Sequence, residues 1–305
     1  MMLQQIRSQV SKKEERNKLV AESYTGMYSM HKYWSKKPAN LIRDLIAQYS
    51  KKNEIVLDPF SGSGISVVES IKTDRKTIGM DINPAAIFIT REILEKIEPS
   101  RILEEFEKIR NDCEFQINEL YKIKRKNRTL TGTHFLWSNG KLQEIWYLVE
   151  GKKRIVFKPT SSDIKLAKSF TYAKIPHYYP KNKLFSNSRI NARKNTRICD
   201  LFTPRNTLAL SLLLKRIQSI KDPKLRELFK FCFSASLGQS SKMVFVINNR
   251  GTFSHKRQTS RKEVGSWVIG YWIPKRRVMA LLVNISAANP GRLSFLKERN
   301  CQGVV

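Results

Sequence analysis

The chain has 305 residues, enough to bury a sizeable core in one large or two ordinary domains. Its 57 lysines and arginines face 26 acids, giving a net charge of +31 and a pI of about 10.2. That excess predicts attraction to a polyanion, with nucleic acid as the expected partner. No apolar run approaches the roughly 18 residues of a membrane span, Met1 to Val20 is too charged for a secretory leader, and the 4 cysteines form no C-x-x-C pair. Membrane association, a zinc ribbon and a disulfide framework are therefore not expected, and the expected location is cytoplasmic.

Residues 1–20 are polar and mixed in charge, with apolar positions at Ile6, Val10 and Leu19, and read as a loose helix or arm. Met30-His31-Lys32-Tyr33-Trp34-Ser35-Lys36-Lys37-Pro38 follows, and Leu41, Ile42, Leu45 and Ile46 then recur at helical spacing. Pro38 suits the first turn of that helix, where a missing N–H costs nothing.

The stretch Ile55-Val56-Leu57-Asp58-Pro59-Phe60-Ser61-Gly62-Ser63-Gly64 runs from an apolar strand through an acid into a glycine turn. Ile65, Val68 and Ile71 continue it as a helix, so the segment reads as strand, tight loop, helix. Gly62 and Gly64 place no Cβ in the loop, which lets a ligand lie against the backbone. A second strand, Thr77-Ile78-Gly79-Met80, delivers Asp81. This acid lies about 20 residues beyond Gly62, the interval that places a carboxylate on a ribose hydroxyl pair. Neither G-x-G-x-x-G nor a terminal Gly-Lys-Ser/Thr is completed, and Asp58 is a poor neighbour for phosphate but a good one for a cationic amino-acid group. Among nucleoside ligands, these details favour S-adenosylmethionine.

Asp58-Pro59-Phe60-Ser61-Gly62-Ser63-Gly64 resembles the cofactor loop of the DNA amino-methyltransferases, which modify the exocyclic amine of adenine or cytosine. The His31-Lys32-Tyr33-Trp34 opening resembles one branch of them, and Ser35, Lys37 and Pro38 match the element that precedes the loop in that family. The resemblance implies a Rossmann-like α/β sheet and S-adenosylmethionine as cofactor. It implies binding by Asp58, Pro59, Phe60, Gly62 and Gly64, with Lys37 at the methionine end. Asp81 would accept from the ribose hydroxyls and Ile82 would lie on the adenine face.

Downstream, Asn83-Pro84 opens a helix through Ile87, Ile89 and Leu94 that stops near Pro99. Ile102, Phe106, Ile109, Cys113, Ile117 and Leu120 predict a long amphipathic helix over 101–123. Lys122 to Arg128 is a basic run, expected as a solvated tip able to touch phosphate. From 130 to 185 short strands are expected at Thr133–Trp137, Ile145–Val149 and Arg154–Phe157, with turns at Gly140 and Gly151. The resembling branch often carries a cysteine-rich zinc module here; this chain lacks its cysteines, and His134 and His177 have no partners at ligand spacing, so no metal is expected. Thr203 is expected to cap a helix with Pro204 in its first position, and Arg205 and Asn206 then read as a helix-start surface, with a face toward nucleic acid as the other reading. A further helix is expected over Leu225–Leu237, and Asn248–Lys262 reads as a basic loop suited to a phosphate backbone.

One motif of the family is missing. Amine methylation needs an Asp, Asn or Ser followed by Pro-Pro and an aromatic to hold the flipped base, and none of the 11 prolines is adjacent to another. No catalytic residue is therefore assigned. The expected organisation is an arm over 1–27, the S-adenosylmethionine-binding half of an incomplete methyltransferase domain over 28–100, a basic α+β insert approaching DNA over 101–275, and an atypical tail over 276–305. The chain then reads as an N-terminal part of such an enzyme, shortened by truncation or a frame change, with a separate chain as a candidate source of the catalytic half. Two other readings stay open: an RNA amine methyltransferase, and a non-catalytic basic remnant that binds nucleic acid.

Overall fold

In the computed structural model, residues 20–149, 154–185, 191–248, 262–267 and 271–280 are described. The chain divides into two compact units, one ending at Lys96 and the next starting at Ile97. Most of the arm, Gly151, most of the basic loop between Asn248 and Lys262, and the tail beyond Ala280 lie outside the described residues.

The first unit begins with α1 (Gly26–Met30) and α2 (Ala39–Tyr49). Pro38 stands at the N-cap of α2, one position before the first turn expected for it, and its carbonyl accepts from Ile42 N–H. A β–α–β segment follows: β1 (Ile55–Asp58), α3 (Ile65–Lys72) and β2 (Lys76–Gly79), then α4 (Pro84–Leu94). The two strands are parallel, in register from Ile55 opposite Lys76 to Asp58 opposite Gly79. Parallel pairing requires a crossover, and α3 supplies it by burying Ile65, Val67 and Val68. The approach at Gly79 is tight, since a Cβ there would stand 2.4 Å from Val67 Cγ2. The alternate strand positions carry exposed apolar side chains: Ile55 is 64%, Leu57 58% and Ile78 50% exposed. Sheets of this parallel type normally have both faces covered.

Glu69 of α3, fully buried, ties α1 and α2 to its own helix. Its carboxylate accepts from Tyr28 Oη and from Arg43 Nε at 2.6 Å, with Lys72 Nζ at 3.4 Å. Burial, with Glu69 next in effect, pushes the Tyr28 phenol well above its ordinary value.

The second unit opens with α5 (Pro99–Leu120), which buries the expected stripe at Ile102, Ile109, Cys113 and Ile117. The basic run after it is the exposed tip of a hairpin, with a partly buried first strand that the sequence did not indicate. Lys122–Arg125 and Arg128–Thr131 form a hairpin, β3 and β4, that buries Ile123. Arg125 turns inward to Asp163 at 2.8 Å; only Lys124, Lys126, Asn127 and Arg128 keep the exposure expected of the run. Tertiary pairing explains the difference, because a charged run with alternating Ile123 fits a half-buried strand as well as a coil.

A six-stranded sheet forms the centre of this unit, in the order β7-β6-β5-β10-β8-β9. Its strands are β5 (His134–Ser138), β6 (Lys141–Leu148), β7 (Arg154–Phe157), β8 (Val244–Asn248), β9 (Lys262–Trp267) and β10 (Arg276–Ala280). Every pairing is antiparallel. Residues 276–280, placed by the sequence at the start of a tail, thus run between β5 and β8. One face of the sheet holds Leu136, Trp146, Val244 and Val278, with Val246, Val264 and Trp267 packed against them. Helices α6 (Ser161–Lys168), α7 (Pro204–Gln218) and α8 (Pro223–Ser236) complete the unit. Arg216 of α7 bonds Glu105 at 2.9 Å and Asp112 at 2.5 Å on α5.

The expected cap at Thr203 is present, its Oγ1 accepting from Asn206 N–H at 3.1 Å. The surface position of the next residues is corrected, because Arg205 and Asn206 are both buried. The Arg205 guanidinium lies 4.6 Å from the Tyr121 ring and 4.0 Å from that of Phe135. Asn206 accepts from Tyr121 Oη at 3.0 Å and donates to the Ser240 carbonyl at 2.8 Å. Burial lowers the Arg205 pKa to about 10.

Candidate functional site

The glycine loop sits at the carboxyl ends of β1 and β2, the edge where open α/β sheets bind ligands. Asp58, the last residue of β1, folds the loop back on itself. Its carboxylate accepts from Phe60 N–H at 3.0 Å and from the Ser66 hydroxyl on α3. Backbone bonds from Met80 N–H to Asp58 O and from Ser61 N–H to Met80 O, both 2.9 Å, extend the parallel ladder into the loop.

Asp81 closes the loop from the second strand. One carboxylate oxygen accepts from Gly62 N–H at 2.8 Å and the other from Asn83 N–H at 2.8 Å. Asn83 in turn caps α4, accepting from Ala85 N–H at 3.0 Å, with Pro84 at the first helical position as expected. Each Asp81 oxygen retains acceptor capacity beyond the one N–H it binds.

Both loop glycines have positive φ, +52° at Gly62 and +76° at Gly64, where side chains are disfavoured. Space reinforces conformation at Gly64: an added Cβ would lie 2.4 Å from Thr90 Oγ1. At Gly62 the Tyr33 ring occupies the corresponding place, 3.1 Å from an ideal Cβ, and Asn83 Nδ2 reaches Tyr33 Oη at 3.4 Å. Tyr33, Ser66 and Thr90 are site residues that sequence reasoning gave no role. Tyr33 stood in the quoted His-Lys-Tyr-Trp opening, whereas nothing local marks Thr90.

The electrostatics of the cluster run against the rest of the chain. In a protein of net charge +31, neither Asp58 nor Asp81 forms an ion pair among the described residues. Beside them Phe60 is 86% exposed and Ile82 fully exposed, while Gly64 is buried. Two carboxylates without cations, flanked by two uncovered apolar side chains, suit a ligand that is cationic at one end and flat and apolar at the other.

Of the residues expected here, Asp58 bonds Phe60 and Asp81 bonds Gly62, Gly64 N–H donates to the Ser61 carbonyl at 2.8 Å, and Pro59 and Ile82 are exposed beside them. Lys37 is different. Its side chain is exposed and makes no bond to the loop among the described residues; its neighbour Lys36 turns inward to the Tyr28 carbonyl. Burial brings the Lys36 pKa down to about 8. A separate cavity of about 280 Å³, lined by Tyr24, Tyr28, Asn40, Arg43 and Lys72, contains none of the loop residues. No His, Cys, Asp and Glu group among the described residues could hold a metal ion, and no described helix is long and apolar enough to cross a membrane.

Comparison with known proteins adds a family likeness. A family model described as DNA methylase, covering N6 and N4 methyltransferases, matches residues 3–92 and so includes the whole loop cluster. The chain is also similar to the type II methyltransferase M.MjaII of Methanocaldococcus jannaschii, with 26% identity over 165 residues. That match covers 51% of this chain and 29% of the relative's length. No solved structure matches.

Proposed function

We propose that this chain, which resembles the DNA amino-methyltransferases through its first unit, binds S-adenosylmethionine in a Rossmann-like half-domain and serves methylation of an exocyclic base amine in DNA. The observation that carries the reading is the pair of cation-free carboxylates, Asp58 and Asp81, at the ends of two parallel strands in a strongly basic protein. When bound, S-adenosylmethionine supplies a methyl group activated on a sulfonium. Asp58 would face the cationic amino-acid end, Asp81 would use its remaining lone pairs on the ribose hydroxyls, and Phe60 and Ile82 would flank the adenine. Gly62 and Gly64 keep the loop free of side chains, and Pro59 stiffens its first step. Lys37 would approach the methionine end.

Binding in this reading is the work of residues 28–100, and the basic insert over 101–275 approaches DNA. The exposed hairpin residues Lys124, Lys126 and Arg128 are candidates for phosphate contact. The motif that holds the target amine has no counterpart in this sequence, which has no Pro-Pro pair. We assign that motif to another polypeptide segment. The bare apolar face of Ile55, Leu57 and Ile78 is consistent with a segment packing there.

Calorimetric titration with S-adenosylmethionine tests the reading. Saturable binding weakened by Asp81→Ala supports it, whereas a folded chain that binds DNA in a salt-sensitive way and takes no S-adenosylmethionine would be a basic nucleic-acid binder without methyl-transfer chemistry.

A further inference from the structure

Between Asp163 and Asp200 the sequence carries nine lysines and arginines and no acid. Within that stretch the second unit forms a short antiparallel ribbon. Leu184 N–H donates to the Thr196 carbonyl at 2.8 Å, Ile198 N–H donates to the Asn182 carbonyl at 2.9 Å, and Lys183 stands opposite Arg197. The base of the ribbon is anchored on both sides. Cys199, buried just after the second strand, accepts from Tyr172 Oη at its carbonyl, 3.0 Å away. The Tyr172 carbonyl in turn accepts from Tyr179 Oη at 3.2 Å, just before the first strand, and the two rings stack with centroids 6.0 Å apart. Lys181 Nζ lies 5.0 Å over the Tyr179 ring.

The outer part of the ribbon is positive and bare. Side chains alternate along an extended strand, and half-buried Leu184 separates the exposed Lys183 and Phe185, so those two share the outer side. Phe185 is 85% exposed. On the return strand Thr196 N–H closes a turn on the Arg193 carbonyl at 3.0 Å, and this turn carries the exposed Arg193 and Lys194. Lys183 Nζ donates to Asn195 Oδ1 of the same turn at 3.3 Å, which brings the three cations to one end of the ribbon. Like charges placed opposite each other weaken a strand pair. Arg197 is neutralised by Asp200 at 3.1 Å, whereas Lys181, Lys183, Arg193 and Lys194 form no ion pair among the described residues.

A lone exposed phenylalanine is ordinary. An exposed ring beside uncompensated cations, on one anchored ribbon, has the composition of a surface that follows a phosphate backbone while stacking on bases. A duplex covers its base faces by stacking them on one another, whereas an unpaired strand leaves them open to an aromatic side chain. We propose, on the nucleic-acid part of the reading above and independently of S-adenosylmethionine, that this ribbon binds an unpaired nucleic-acid strand. Phe185 stacks on a base, and Lys183, Arg193 and Lys194 hold the phosphates on either side of it. The strand is either DNA opened from its duplex or RNA, and the sugar decides between them.

Fluorescence anisotropy of the full chain with a short labelled oligothymidylate, its duplex with oligoadenylate, and the matching oligouridylate tests the surface. The variants are Phe185→Ala, Phe185→Trp and the triple change Lys183→Gln/Arg193→Gln/Lys194→Gln. All four side chains are exposed, so each variant should melt as the wild type does. Phe185→Ala should weaken binding of the single strand about fivefold or more, with its salt slope and the duplex affinity unchanged. Phe185→Trp should keep the affinity, and its added indole emission should be quenched by the bound strand. The triple variant should lower the slope of log affinity against log salt by about 2 for the single strand. Tighter binding of the deoxyribose or the ribose strand assigns the source. Unchanged single-strand affinity in Phe185→Ala, or an equal loss for the duplex, overturns the surface and leaves the duplex-DNA reading standing. Displacement by poly-glutamate as efficient as by oligothymidylate of equal charge also overturns it, as a general polyanion patch. A wild-type chain that binds no nucleic acid overturns both. A chain that meets these expectations yet takes no S-adenosylmethionine keeps the surface and loses the methyltransferase reading.

Discussion

Asp81 and Gly62 lie 19 residues apart and are joined by a 2.8 Å hydrogen bond from the glycine N–H to the carboxylate. The bond couples the two strand ends, so the acid offered to a ribose also fixes the loop that would receive the rest of the ligand. Through Asn83, the same carboxylate reaches the start of α4. Loop shape and ligand affinity are thus set by shared atoms.

Gly64→Ala should disrupt this arrangement by two routes. The left-handed φ of +76° costs roughly 1 kcal/mol for a side chain, and the clash with Thr90 adds to it. We expect a loss of about 2–4 kcal/mol in urea unfolding, with part of it restored in the Gly64→Ala/Thr90→Ala double variant.

Arg205→Ala should lower stability rather than DNA affinity. The guanidinium is buried against Tyr121 and Phe135, so truncation removes packing and a desolvated cation–π contact, together about 2–4 kcal/mol. Below its lowered melting temperature, the folded variant should bind duplex DNA with wild-type affinity and salt slope.

The exposed hairpin makes the opposite prediction. Replacing Lys124, Lys126 and Arg128 by alanine should leave the melting temperature within a few degrees of wild type. If all three contact phosphate, the slope of log affinity against log salt should fall by about 2–3. An unchanged slope would remove this hairpin from the DNA-contacting surface.

His134 sets a pH dependence. Its ring packs against Trp146 at a tilt, with centroids 5.4 Å apart, and burial, helped by Arg154, lowers its pKa from 6.5 to about 4. The unfolded chain therefore binds the proton first. Stability is full above pH 6.5 and falls as pH drops from 6.5 to about 4, by up to roughly 3 kcal/mol. His134→Phe keeps a ring on Trp146 and cannot titrate, so its unfolding free energy should decline less than wild type between pH 7 and pH 4.5.

Local patterns made much of the first unit legible. Strand, glycine turn and helix follow one another with little intervening chain, and Asn83-Pro84 and Thr203-Pro204 announce their helices by cap chemistry that depends on adjacent residues. What escaped the sequence depends on distant partners. Arg205 reads as a surface cation until Tyr121 and Phe135 close over it, and the strand within Lys122–Arg128 is hidden until β3 pairs with β4. The pairing of β10 with β5 joins residues more than a hundred positions apart, and no periodicity encodes that. Tyr33 on Gly62 and Thr90 beside Gly64 belong to the same class, because a close approach between elements leaves no mark in either segment alone.

Titration of the full chain with S-adenosylmethionine by calorimetry, beside Asp81→Ala, tests the central claim most directly. The wild type should give one saturable binding event, and a variant that still melts cooperatively should bind about tenfold or more weakly. A folded wild-type chain that gives no binding heat across several temperatures would contradict it.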